Sequence, residues 1–335
     1  MKDVCSTTDM LTQLISFDTT SSKSNKPMID FIIEFLNRYN IACNIGSNHE
    51  GTKGDLIATI GPMVEGGIVL SGHTDVVPVD GQDWDTNPFK LIKKNKLLFG
   101  RGTSDMKGFI AVVLSLVPEI LALNLKIPLH LAFSYDEEIG CLGAPGLIAR
   151  LIKDLPMPMG AIIGEPTGMK LVNAHKGGSL FETEVTGYPG HASQTQAGVN
   201  AISVAAECIV FLNSKAKAFT IDGTRDERME PPYNTINIGV IDGGTAGNII
   251  AGSCRFTWGC RSIINRDVDE LIKQFSDHCN NKLLPSLVEI SRDVKITTKK
   301  ISSVPPLMQV EENPVEAVLR QLTGQNQMMG VAFGT

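Results

Sequence analysis

Apolar residues recur at helical spacing over 8–17 and 27–40, which predicts two amphipathic helices near the start of the chain. Short apolar runs at 55–60 and 67–71 predict strands, and 106–124 predicts one long apolar helix. A strand at 127–135, a helix at 144–153 and a short buried strand at 161–164 follow. Strands alternating with helices imply an α/β layered domain built on a mostly parallel sheet.

The pattern then changes. Residues 180–188 alternate apolar and polar positions, as a half-exposed strand does. A helix at 198–215, strands at 235–241 and 253–261, a helix at 267–281 and a strand at 286–296 complete the segment. Two helices on a four-stranded antiparallel sheet make a smaller α+β domain inserted into the first. A helix at 313–323 and a strand at 329–333 return to the first fold. The expected organisation is a catalytic domain over 1–178, an inserted dimerisation or lid domain over 179–296, and a return over 297–335. The final stretch, 328–335, reads as a buried strand running into the terminus. Termini are usually polar, so a truncated chain is expected.

The length of 335 residues fits about two domains. A formal charge of −6 without a lysine or arginine block disfavours nucleic-acid binding. No apolar stretch approaches the roughly 18 residues of a membrane span, and the N-terminus has no apolar core of signal-peptide length. The seven cysteines are scattered and form no C-x-x-C pair, which points to free thiols and a cytoplasmic location.

The chemistry gathers at the ends of the predicted strands. Residues two apart on a strand face the same way, so His73 and Asp75 of Ser71-Gly72-His73-Thr74-Asp75 project together. They form either a loop hydrogen bond or a metal ligand with its orienting carboxylate. Asp105, in Gly100 to Gly108, reads as a helix cap or as a ligand. Asp136-Glu137-Glu138 reads as a solvated loop end or as a group that needs a cation among its carboxylates. Glu165, in Gly164-Glu165-Pro166-Thr167, ends another strand. One histidine and several carboxylates at successive strand ends of one domain are how a hydrolytic two-metal site is built.

In this order the motifs resemble those of the co-catalytic zinc amidohydrolases, which include aminoacylases, certain carboxypeptidases and succinyl-diaminopimelate desuccinylase. The likeness extends through Gly190-His191-Ala192-Ser193 to Arg261 and covers most of the chain. It implies two zinc ions, with cobalt as a substitute. His73 and Glu165 would bind one, Glu138 the other, and Asp105 would bridge them. Asp75 would orient His73, and Glu137 would act as general base. His191 would donate to the developing oxyanion across a homodimer formed through the inserted domain; on residues alone it could equally be a surface histidine in a turn. Asn248 and Arg261 would grip the carboxylate of an N-acylated amino acid, although Arg261 alone also fits a surface ion pair. Thr103-Ser104 and Ala174-His175-Lys176-Gly177 resemble the branch that deacetylates N-acetyl-L-ornithine in arginine biosynthesis. The rivals are desuccinylation, aminoacylase or dipeptidase activity, or a silent homologue serving as a binding subunit. The resemblance also implies a further metal-binding histidine toward the C-terminus. None of the histidines at 49, 73, 130, 175, 191 and 278 fits it, so the second metal site is expected to be incomplete in this chain.

Overall fold

The computed structural model describes residues 5–325, 327–332 and 334. In chain order the elements are α1 (Thr7–Ser16), α2 (Lys26–Asn37), β1 (Cys43–Ser47), β2 (Gly54–Ile60), β3 (Ile68–His73), β4 (Ile92–Lys94), β5 (Leu97–Phe99), α3 (Lys107–Ser115), α4 (Val117–Ala122), β6 (Leu129–Ser134), α5 (Ala144–Asp154) and β7 (Gly160–Ile163). There follow β8 (Val172–His175), β9 (Gly177–Thr186), α6 (Ala201–Asp222), β10 (Thr235–Gly243), β11 (Ser253–Ser262), α7 (Asn265–His278), α8 (Leu284–Val288), β12 (Lys295–Val304), α9 (Pro314–Thr323) and β13 (Met329–Val331). They group into two compact units, one spanning 5–171 with 311–325, the other 172–310 with 327–332 and 334.

The first unit is a five-stranded sheet in the order β1-β2-β6-β3-β7. Four strands run one way and β2 alone is reversed, which makes the sheet mostly parallel, as expected. Helices cover both faces, so the inner strands β2, β3 and β6 are largely apolar, whereas the edge strand β1 is polar and mostly exposed. Leu14 of α1, Ile32 of α2 and Ile110 and Leu114 of α3 pack with Leu56, Leu131 and Phe133 on one face. Leu147 of α5 packs with Ile57, Val69 and Ala132 on the other. Ser6 starts α1 by accepting a hydrogen bond from the Asp9 amide at 3.2 Å.

The second unit carries the expected four-stranded antiparallel sheet, in the order β10-β11-β9-β12, with α6 and α7 packed on it. Trp258, stacked on Phe181 with ring centroids 4.5 Å apart, sits at the centre of that core. Asn200 caps α6 by accepting from the amides of Ile202 and Ser203.

Three elements differ from expectation. The apolar stretch 106–124 forms two helices, because Pro118 has no amide hydrogen to continue the first and opens the second instead. The strand expected at 286–296 lies at Lys295–Val304, and 284–288 is helical. The strand expected at 329–333 to return to the first fold is observed at Met329–Val331, but it pairs with β8 in the second unit; residue 333 lies outside the described residues. No helix among the described residues is long and apolar enough to cross a membrane.

Candidate metal centre

Parallel neighbouring strands end at the same edge of a sheet, and side chains just beyond those ends converge. His73 is the last residue of β3, Asp136 to Glu138 follow β6, and Glu165 follows β7, with β3 hydrogen-bonded between the other two. Asp105 comes from the loop that enters α3. Two glycines allow the close packing this needs. A Cβ at Gly72 would lie 2.9 Å from the Met106 side chain, and one at Gly164 would fall within the Phe109 ring.

His73 is almost fully buried. Its Nε2 lies 2.9 Å from Asp105 Oδ1, 3.6 Å from Glu165 Oε1 and 4.0 Å from Glu137 Oε2. One ligand atom each from His73, Asp105 and Glu165 falls within 4.8 Å of the others. An imidazole with carboxylate oxygens is a donor set that fits a divalent first-row metal ion. Glu138 and Glu137 stand beside this trio without belonging to it.

The electrostatics fit the same ion. Burial and the neighbouring Asp105 and Glu137 carboxylates push the Glu138 carboxyl up to about 7, against the attraction of His73. Burial works to lower His73, but its bonds to Asp105 and Asp75 outweigh it and raise the imidazole to about 11. Carboxylates crowded around one cation form a negative well that a dication neutralises.

Asp75 holds more than the histidine. Its backbone carbonyl, 2.9 Å from His73 Nδ1, is the closer partner of the ring; its carboxylate stands at 3.6 Å. An Nδ1–H donated to that carbonyl leaves Nε2 free to ligate. The carboxylate accepts instead from the Glu137 and Glu138 amides at 3.1 and 3.3 Å and from Ser21 Oγ at 2.7 Å. Burial would raise it, yet the nearby His73 imidazole, together with bonds to Ser21 and the Glu137 amide, holds it below the usual carboxylate range.

Ser21, Asn25 and Lys53 also support the site, and no motif pointed to them. Asn25 Nδ2 bonds Thr74 Oγ1 and the Gly54 carbonyl, each at 2.7 Å. Lys53 Nζ reaches the Ser21 carbonyl at 2.6 Å and Asp136 Oδ1 at 2.7 Å, both inside the fold. Asp136 has φ +54°, a left-handed conformation that turns the chain sharply into Glu137 and Glu138.

His191, Asn248 and Arg261 belong to the second unit. His191 is exposed, with Nδ1 2.7 Å from Ser193 Oγ, and the adjacent Ala192 amide donates to the Asn248 carbonyl at 3.0 Å. Arg261 lies on β11 opposite Gly178, its guanidinium over the space a side chain there would fill.

The sequence profile of peptidase family M20/M25/M40 matches residues 69–333. The chain belongs to that family. Membership places it among metal-dependent amidohydrolases. Eight curated relatives, 34 to 36% identical to it, all bear the name acetylornithine deacetylase. The one from Pasteurella multocida is 34% identical over 82% of this chain and 73% of its own length. That from Myxococcus xanthus is 36% identical over 76% of this chain and 66% of its own length. The matches cover between 56% and 73% of these relatives' own length. The fold matches that of a dinuclear metal-binding M20 peptidase from Bacillus subtilis, with a TM-score of 0.62 at 15% identity, over 98% of this chain and 83% of that one.

Proposed function

We propose that this M20 chain removes the acetyl group from N2-acetyl-L-ornithine, giving L-ornithine and acetate in arginine biosynthesis. The observation that carries the reading is the shared name of relatives 34 to 36% identical over most of the chain. In this reading the enzyme works in the cytoplasm as a homodimer joined through the second unit. His73, Asp105, Glu165 and Glu138 hold two zinc ions, or cobalt in their place, with the second ion, at Glu138, short of the further histidine that the family resemblance implies. When bound, the ions supply polarisation of the scissile carbonyl and acidity to the attacking water.

The chain's own residues do the rest. Asp75 fixes the His73 ring through its carbonyl and, through its carboxylate, the backbone that carries Glu137. Glu137 accepts the proton of the attacking water and returns it to the nitrogen of the departing amine, since one positioned carboxylate can serve both steps. His191 donates to the developing oxyanion, while Arg261 and Asn248 hold the substrate carboxylate. A guanidinium suits that task because its two parallel N–H groups match a carboxylate.

Turnover of N-acetyl-L-ornithine against N-succinyl-diaminopimelate tests the substrate. A kcat/KM at least about tenfold higher on the acetyl compound, or roughly 1.4 kcal/mol of discrimination, is expected. Preference for the succinyl compound would transfer the reading to the desuccinylases.

A further inference from the structure

Far from any role in hydrolysis, the second unit holds two thiols side by side. Cys208, midway along α6, and Cys279, just past α7, are both buried, with their sulfurs 4.0 Å apart. Cys279 opens a π-helical turn, Cys279–Leu283, an irregularity often found where a helix is locally adapted for function. It also lines a cavity of about 240 Å³ together with Phe181, Phe275, Thr298 and Lys300. Cys208 does not line that cavity. Cys279 therefore borders a space that admits a small molecule, and the Cys208 sulfur stands within reach of it.

We propose that Cys279 and Cys208 form a peroxide-sensitive dithiol, with Cys279 the attacking sulfur and Cys208 the resolving one. The Cys279 thiolate attacks one oxygen of hydrogen peroxide, cleaving the O–O bond and leaving Cys279 as sulfenic acid with release of hydroxide. The Cys208 thiol then attacks the Cys279 sulfur. An S–S bond forms, the S–O bond breaks, and the hydroxyl departs as water with the Cys208 proton. Overall two thiols lose two electrons to one peroxide and two waters result. The disulfide ties α6 to the end of α7.

The asymmetry of the pair agrees with these roles. The contact with Cys208 holds the Cys279 thiol below its ordinary value, whereas the same contact and burial raise Cys208. Burial raises Cys43 to about 11, and Cys141 and Cys260 to about 12; Cys5 and Cys254 shift upward too. Thiolates, not thiols, react with peroxide, so Cys279 is the favoured site.

The test is peptide mass spectrometry of the full chain after mild hydrogen peroxide treatment, with free thiols alkylated under denaturing conditions. The expected product is a Cys208–Cys279 cross-linked peptide pair, 2 Da lighter than the two thiol peptides and cleaved by dithiothreitol. In Cys208→Ser the Cys279 sulfenic acid should persist and be trapped by dimedone; Cys208→Ala, a second variant, should behave alike. Circular dichroism melting confirms that each variant is folded. Recovery of Cys208 and Cys279 as alkylated thiols while other cysteines oxidise would overturn the proposal, as would dimedone labelling that favours Cys208 in Cys279→Ser over Cys279 in Cys208→Ser.

Discussion

The Asp75 carboxylate accepts from Ser21 and from two consecutive amides, those of Glu137 and Glu138. Removing a buried acceptor leaves such donors unsatisfied and frees the turn they hold. Asp75→Ala is therefore expected to lower kcat/KM by about 10- to 100-fold and to weaken metal binding to a similar degree. Steady-state kinetics and calorimetric metal titration would show it, and unchanged values would remove Asp75 from the account. Lys107 makes a different prediction. Fully buried, it donates to the Leu14 and Phe17 carbonyls at 3.1 and 2.8 Å, and burial lowers its ammonium to about 7. Its folded pKa is thus depressed below the unfolded value of roughly 10.4. Above that value neither state holds the proton. As pH falls toward 7 the unfolded state takes it up first, and stability declines. Urea midpoints measured from pH 7 to 10.5 should rise with pH from this group, and Lys107→Met should flatten the rise.

At the scale of elements, the site depends on how closely β7 approaches α3. A Cβ at Gly164 would lie 1.9 to 2.4 Å from atoms of the Phe109 ring. Gly164→Ala is expected to cost about 1–3 kcal/mol as the ring is displaced, and metal affinity should fall because Glu165 is next in the chain. Denaturant titration beside metal titration checks both. The strands that carry the chemistry were legible because β3, β6 and β7 are short, mostly apolar runs that end in polar motifs, although β7, expected to be buried, lies at the sheet edge with Ala161 and Ile163 exposed. The β12 segment, Lys295–Val304, was not. It lies at the edge of its sheet, largely exposed, and its lysines, threonines and serines give no apolar alternation. The helix break at 116–117 was available in Pro118 but was outweighed by the apolar run around it. Among site residues, His73, Asp105 and Glu165 could be read from motifs, while the partnership of Ser21 with Asp75 spans 54 positions and leaves no local pattern.

For the whole molecule, each unit has a core of its own, one centred on Leu14, Ile110 and Phe133, the other on Trp258 and Phe275. Trp258→Ala should destabilise the second unit by about 3–5 kcal/mol. In calorimetry one unfolding transition should move down while metal binding by the first unit persists. Loss of metal binding in that variant under conditions where the first unit remains folded would contradict it.

Metal-dependent amide hydrolysis with Glu137 as the proposed proton carrier is measured by acetate release from N-acetyl-L-ornithine. Chelated enzyme should be inactive and recover with zinc or cobalt, and Glu137→Ala should lose at least about a hundredfold while still binding metal. Acetate release that survives complete chelation, or that proceeds undiminished in Glu137→Ala, would contradict the account.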